Sequence, residues 1–185
     1  MPDTPPLPLN CTTREAGLIA IAELAVTRRL PTATVKRIVP GCRLWIREPF
    51  HLPNTAADLA PGQYVSTRRH SSTGPFVRYA ADGPVPGSYG TMRFARSMPR
   101  ELSRLVLTVT AIRLEPLQAI DDRAAQDACF RDRAAFAAAW DEMVAKGIRT
   151  GDADRWDGNP TVAVVEFTAE RRKIAEAEQR QAEFA

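Results

Sequence analysis

The sequence predicts an α+β fold: a small mixed β-barrel with an N-terminal helix and a helical insertion before its last strand. Three observations lead there. Short strand-like apolar runs recur at uneven spacing, one capped helical segment stands ahead of them, and an Ala- and Arg-rich stretch separates the longest run from the last. A chain of 185 residues is most simply one domain with tails. The expected boundaries are a disordered tail over 1–12, a domain over 13–168 and a charged helical tail over 169–185.

The first ten residues, MPDTPPLPLN, are Pro-rich and predict a loose polyproline-like or disordered start. Thr12 and Glu15 have the spacing of a capping box, in which the hydroxyl accepts from an early helix N–H and the carboxylate reaches back. A helix is expected over 13–25, with Leu18, Ile21, Ala22 and Ala25 as its buried stripe and Pro31 beyond its end. Val35 to Val39 and Cys42 to Arg47 read as strands around a Pro40-Gly41 turn. Residues 52–76 read as a long polar loop, the kind that is functional or mobile in a compact domain. A short strand is expected over 76–80, and a loop over 83–90. Leu105 to Leu114 alternates cleanly and is the clearest strand. Asp121 or Asp122 caps helical sequence running to Lys146, with a break near Cys129 to Asp132 and Gly147 as a stop. Thr161 to Thr168, apolar on both faces, reads as a central strand.

Composition narrows the function classes. No apolar run approaches a membrane span, and the N-terminus lacks the basic start and apolar centre of a signal peptide, so a cytoplasmic protein without membrane partners is expected. Cys11, Cys42 and Cys129 are far apart, which favours neither a disulfide framework nor zinc. His51 and His70 have no second ligand at helical spacing, so neither a metal nor another cofactor is expected. The net charge of +3 hides an asymmetry: residues 1–113 carry +8 and residues 114–185 carry −5. Such a division either steers an anionic ligand to one face or holds the two halves of the chain together.

Arginines dominate the candidate sites. Arg28 and Arg29, with Arg43 and Arg47 on the following strand, could form a basic rim, because a guanidinium offers phosphate two parallel charge-assisted bonds. Arg93, Arg96, Arg100 and Arg104 lie within twelve residues, with Phe94 interleaved, and could form a phosphate strip with a stacking ring. Arg68, Arg69 and His70 could add a basic finger. In each case the alternative is an ordinary charged loop. Trp45, between Leu44 and Ile46, is either core packing or a platform for a base. Asn159 could read a base edge or, with Pro160, fix a turn.

An ordered set of motifs runs through the chain. Thr27-Arg28-Arg29 is followed by Pro40-Gly41, Leu44-Trp45 and Arg47-Glu48, then by Met98-Pro99-Arg100 with Ser103-Arg104. Leu117, Ile120 and Ala125 mark a helix start, and Trp156-Asp157, Asn159-Pro160, Val162, Val164 and Glu166-Phe167 close the set. This set resembles the ASCH family of PUA-like β-barrels, in the form found in phage and prophage genomes. The resemblance implies a PUA-like barrel whose cleft holds a base, and it favours the turn role for Asn159; Thr27, Trp45 and Asn159 are the pocket candidates. It also implies RNA or a modified nucleotide as partner, with Arg28, Arg29, Arg100 and Arg104 holding phosphates; the basic clusters add Arg47, Arg93 and Arg96 as nucleic-acid-binding candidates. Some ASCH proteins hydrolyse acetylated cytidine with a Lys and a Thr from one motif and a Glu from the later helix. Here Leu24 falls at the Lys position and Ala128 at the Glu position, leaving only Thr27. A threonine hydroxyl needs a base to become a nucleophile. Glu23 and Asp127 are each one residue off, which on a helix is a turn of about 100°. The expectation is therefore a binding protein rather than an enzyme. A divergent amidohydrolase working through Thr27, or a protein-protein interaction module, are the alternatives.

Overall fold

The computed structural model describes residues 5–68, 76–145 and 151–173. Its elements in chain order are β1 (Leu7–Asn10), α1 (Thr13–Ala20), β2 (Val26–Arg29), β3 (Arg43–Arg47), β4 (Phe50–Pro53), α2 (Pro61–Arg68), β5 (Arg78–Tyr79), β6 (Tyr89–Arg93), β7 (Leu105–Pro116), α3 (Asp122–Asp127), α4 (Arg133–Ala145) and β8 (Thr161–Arg171). Short 3₁₀ turns join them. The fold is α+β. Five strands hydrogen-bond in the order β1-β3-β7-β8-β2 and three in the order β5-β4-β6, and among the described residues no closed barrel forms. No helix among them is long and apolar enough to cross a membrane.

The chain divides into two compact units. Unit 1 gathers Met1–Ala22, Arg43–Leu107 and Ala169–Ala185, and unit 2 gathers Glu23–Cys42 and Thr108–Thr168.

Unit 1 corrects three sequence expectations. Leu7–Asn10, expected as disorder, forms β1 and pairs in parallel with β3, Leu7 opposite Leu44 and Leu9 opposite Ile46. Leu7 and Leu9 are buried on alternate positions, and Pro8 is tolerated because β1 lies at the end of the sheet, where a missing N–H costs little. Helix α1 keeps its capping box at Thr12 and Glu15 but stops at Ala20, short of Ala25. Ala22 takes a positive φ of 61° and turns the chain, so the buried positions are Ala16 and Ile19, and Ile21 is exposed. Inside the expected 52–76 loop lies α2, where Pro61 opens the helix and Gln63 Oε1 accepts from the Ala60 N–H at 3.0 Å. Tyr64 and Val65 on α2 complete a core with Phe50, Leu52, Ala56, Met98 and Leu102. Truncating a buried aromatic such as Phe50 to Ala typically costs about 3–5 kcal/mol.

In unit 2, β2 pairs antiparallel with β8, Thr27 opposite Val165 and Arg28 opposite Val164. Residues 35–37, expected as strand, form a 3₁₀ turn instead. Thr32 Oγ1 accepts from the Val35 N–H at 3.3 Å, a local bond that outweighs the β preference of Val35. Asp121 caps α3 by accepting from the Ala124 N–H at 2.7 Å, and the helical insertion breaks before α4, where Asp132 accepts from the Ala135 N–H. Phe136, Trp140 and Val144 of α4 pack with Leu117, Ile120, Ala125 and Val162. The expected stop at Gly147, the residues Arg69 and His70, and the tail beyond residue 173 lie outside the described residues.

Candidate functional site

Arg47, Arg93, Arg96, Arg100 and Arg104 all belong to unit 1, and they meet different environments. Arg104 is buried and its guanidinium is fully engaged. Nε and Nη2 donate to the two oxygens of Glu48 at 2.9 and 3.0 Å, and Nη1 donates to Asp82 at 2.7 and 2.8 Å. Tyr79 lies under the same guanidinium, 3.8 Å from its central carbon to the ring centroid, and the Tyr79 hydroxyl donates to Leu102 O at 2.7 Å. Burial opposes the charge on Arg104, but Glu48 and Asp82 outweigh it and raise its pKa. Burial also pushes the Glu48 carboxyl up while Arg104 pulls it down. Those two directions conflict, and the two-pronged contact decides for the charged pair. Burial pushes the Tyr79 phenol up to about 12.

Arg93 donates to Ala57 O. Arg100 is half-buried in a 3₁₀ turn over Arg100–Leu102. The Arg47 guanidinium lies 5.5 Å from the Trp45 ring and donates to Arg96 O at 3.3 Å, and burial lowers its pKa. Trp45 itself is buried against Val106, the packing role of its two alternatives. Arg96 is exposed, with its guanidinium carbon 5.1 Å from the centroid of Phe94, which is 64% exposed. Met92, two residues earlier, is 51% exposed.

Unit 2 holds a cavity of about 650 Å³. Strand alternation decides which β2 residues reach it: Val26 and Arg28 line it, and Thr27 and Arg29 do not. Thr27 is buried. Glu23 and Asp127, considered above as stand-ins for lost catalytic groups, both line the cavity, as do Arg113, Gln126 and Glu166. Leu24 and Ala128 are buried and apolar. The Cys129 thiol donates to Glu23 O at 3.3 Å, tying the end of α3 to the segment before β2.

Arg28 is the buried charge of this site, with 2% of its side chain exposed. Its Nε and Nη2 lie 3.2 Å from Glu115 Oε1, and its guanidinium carbon lies 5.7 Å from the Phe136 ring. Nη1 is buried with no hydrogen-bond partner among the described residues. Burial lowers the Arg28 pKa, and Glu115 pulls it partly back. Glu115 also accepts from Arg113, which in turn holds Glu166. Asn159 takes the left-handed conformation, and its Oδ1 accepts from the Gln118 N–H at 2.8 Å. Both features belong to the turn before β8.

Sequence reasoning missed Arg113 and Glu115. The available signal was two charges at i and i+2 on a strand with no other charge, which places both on one face. No protein family, no curated protein and no solved structure matches the chain.

Proposed function

We propose that this protein binds single-stranded nucleic acid, RNA in particular, and that it is a divergent ASCH-like, PUA-like module that binds without hydrolysing. The observation that carries the reading is the Phe94–Arg96 pair. A ring that is 64% exposed beside an arginine offers a stacking face and a cation at one place. A base stacks on such a ring while the guanidinium takes the adjoining phosphate. Met92 extends the apolar surface, and Arg47, which binds the Arg96 carbonyl, stiffens the backbone beneath it. Regular duplex hides its base faces, so unpaired strands fit better. The apolar residues Leu24 and Ala128, neither able to move a proton, support binding over hydrolysis. Arg104 has no part in this reading, because Glu48 and Asp82 already occupy it.

Fluorescence anisotropy with short single-stranded RNA, single-stranded DNA and duplex DNA, at low and physiological salt, tests it. Single strands should bind with steep salt dependence. Phe94→Ala should weaken them by about 5- to 100-fold, the worth of one stacked base, and Arg96→Glu should flatten the salt dependence. Failure of every strand to bind at low salt sinks the reading.

A further inference from the structure

The three-stranded sheet of unit 1 has one face in the core and one outside it. Phe50 and Leu52 of β4 are buried in the core, so His51 between them points outward. Its cross-strand neighbours are Arg78 on β5 and Met92 on β6. Residues paired in this way share a face, with their Cβ atoms about 5 Å apart. Phe94 follows β6 in an extended conformation, φ −68° and ψ 145°, and so returns to the face of Met92. Met92 is 51% exposed and Phe94 64%. The row Arg78–His51–Met92 thus adjoins the stacking ring on one outer surface.

His51 is half-buried at the centre of that row, and its ring is fixed in one tautomer. Between the pairs His51–Met92 and Pro53–Tyr89, β6 advances three residues against two on β4, a bulge that takes one residue out of the ladder. Gly90 lies within it, and Gly90 O is 2.8 Å from His51 Nδ1. A carbonyl only accepts, so Nδ1 carries the proton and the neutral ring presents Nε2 as an acceptor. Nε2 has no partner among the described residues and is not one of their buried unpartnered nitrogens, so it is open to solvent. Arg78 is held elsewhere: its Nη2 donates to Asp82 O at 2.9 Å and Pro84 O at 3.5 Å.

An open acceptor beside a stacking ring calls for an N–H. A phosphate has none, and its oxygens repel a nitrogen lone pair. Cytosine presents an N4 amino group where uracil presents the O4 acceptor, and adenine presents its N6 amino group. We propose, resting on the single-strand reading above, that this face takes the nucleotide next to the one stacked on Phe94, and that His51 Nε2 selects an amino-bearing base, cytosine or adenine, over uracil.

Fluorescence anisotropy on the full chain, with oligocytidine and oligouridine of one length at low salt, tests this base preference. Oligocytidine should bind about 3- to 10-fold tighter, the worth of one hydrogen bond. His51→Asn keeps a nitrogen at the Nδ1 position for Gly90 O but has no atom at the Nε2 position, and His51→Phe keeps a ring without either nitrogen. Both should bring oligocytidine down to the oligouridine level, and circular dichroism with thermal unfolding checks that each variant folds. Equal binding of the two oligomers, both weakened by Phe94→Ala, overturns the role of His51 and leaves the stacking site standing. A preference that survives His51→Asn overturns it too, because His51 then acts only by holding Gly90. If neither oligomer binds, the base preference and the single-strand reading fall together.

Discussion

Arg104 of unit 1 and Arg28 of unit 2 are buried to nearly the same degree, 8% and 6% exposed, yet their surroundings differ. Arg104 spends all three nitrogens on two carboxylates and rests on an aromatic ring. Arg28 has one carboxylate, which it shares with Arg113, and one nitrogen without a partner beside a cavity. The pKa directions follow: raised for Arg104, where the carboxylates outweigh burial, and lowered for Arg28, where burial outweighs Glu115. Burial alone therefore does not mark a binding residue. What separates the two is saturation. A guanidinium with every nitrogen engaged holds the protein together, whereas one with a buried nitrogen left unpartnered contributes less to the fold.

The largest effect should come from breaking the saturated cluster. Arg104→Met leaves Glu48, 1% exposed at its side chain, as a buried charge without its main partner. Loss of one member of a buried pair typically costs about 3–5 kcal/mol. Urea unfolding of the variant should show that loss, and the double variant Arg104→Met/Glu48→Gln should recover part of it. A cost below about 1 kcal/mol, against that expectation, would erase the contrast between the two arginines.

Next in size is Glu115→Gln. It takes the charge from the one carboxylate shared by Arg28 and Arg113. Charged hydrogen bonds contribute about 1.5–3 kcal/mol, and the partial exposure of Glu115 places the expected loss near the lower end of that range. Urea unfolding again measures it. If the loss equals that of Arg104→Met, unit 2 is as tightly built as unit 1 and the comparison fails.

Tyr79→Phe tests the saturated cluster more gently. It removes the hydroxyl that donates to Leu102 O at 2.7 Å, worth about 1 kcal/mol. It also has a pH signature. The phenol is pushed from 10.0 up to about 12 by burial, so the folded state favours the neutral form. That contribution is fully present below pH 10 and is lost as pH rises through about 12. Between those limits the variant should lose stability less steeply than the wild type in thermal unfolding. Equal slopes would mean that Tyr79 is not held neutral by its surroundings.

What the sequence made legible follows the range of the forces involved. The Thr12–Glu15 box, the Asp121 cap, β7, β8 and the break between α3 and α4 are local patterns, and each stands where its residues indicate. Segments whose local signal competes with packing were misread. β1 hides in a Pro-rich run because its pairing with β3 is non-local, and Val35 turns because Thr32 holds its N–H. The site was legible as a set of arginines but not as to which were engaged, since Glu48 and Asp82 reach Arg104 across 56 and 22 residues. Thr27 drew attention through the family resemblance, and the short run over 26–29 carries too few alternating residues to read as a strand by itself. Once β2 is a strand, neighbouring residues face opposite sides, and Arg28 rather than Thr27 belongs to the cavity.

Arg28→Met should have the smallest effect of all on stability, and it divides the two regions most sharply. The substitution removes a desolvated charge and an N–H that has no acceptor, both unfavourable, together with one ion pair and a contact with the Phe136 ring, both favourable. Glu115 is not abandoned, because Arg113 still donates to it at 3.1 Å. A methionine keeps the apolar stem of Arg28 as far as the position of Nε. These opposing effects should leave a net change under about 1 kcal/mol in urea unfolding. A large loss would mean that Arg28 is a structural anchor like Arg104. A change near zero would mean that its guanidinium contributes little to the fold, and that burial without saturation does not make an anchor.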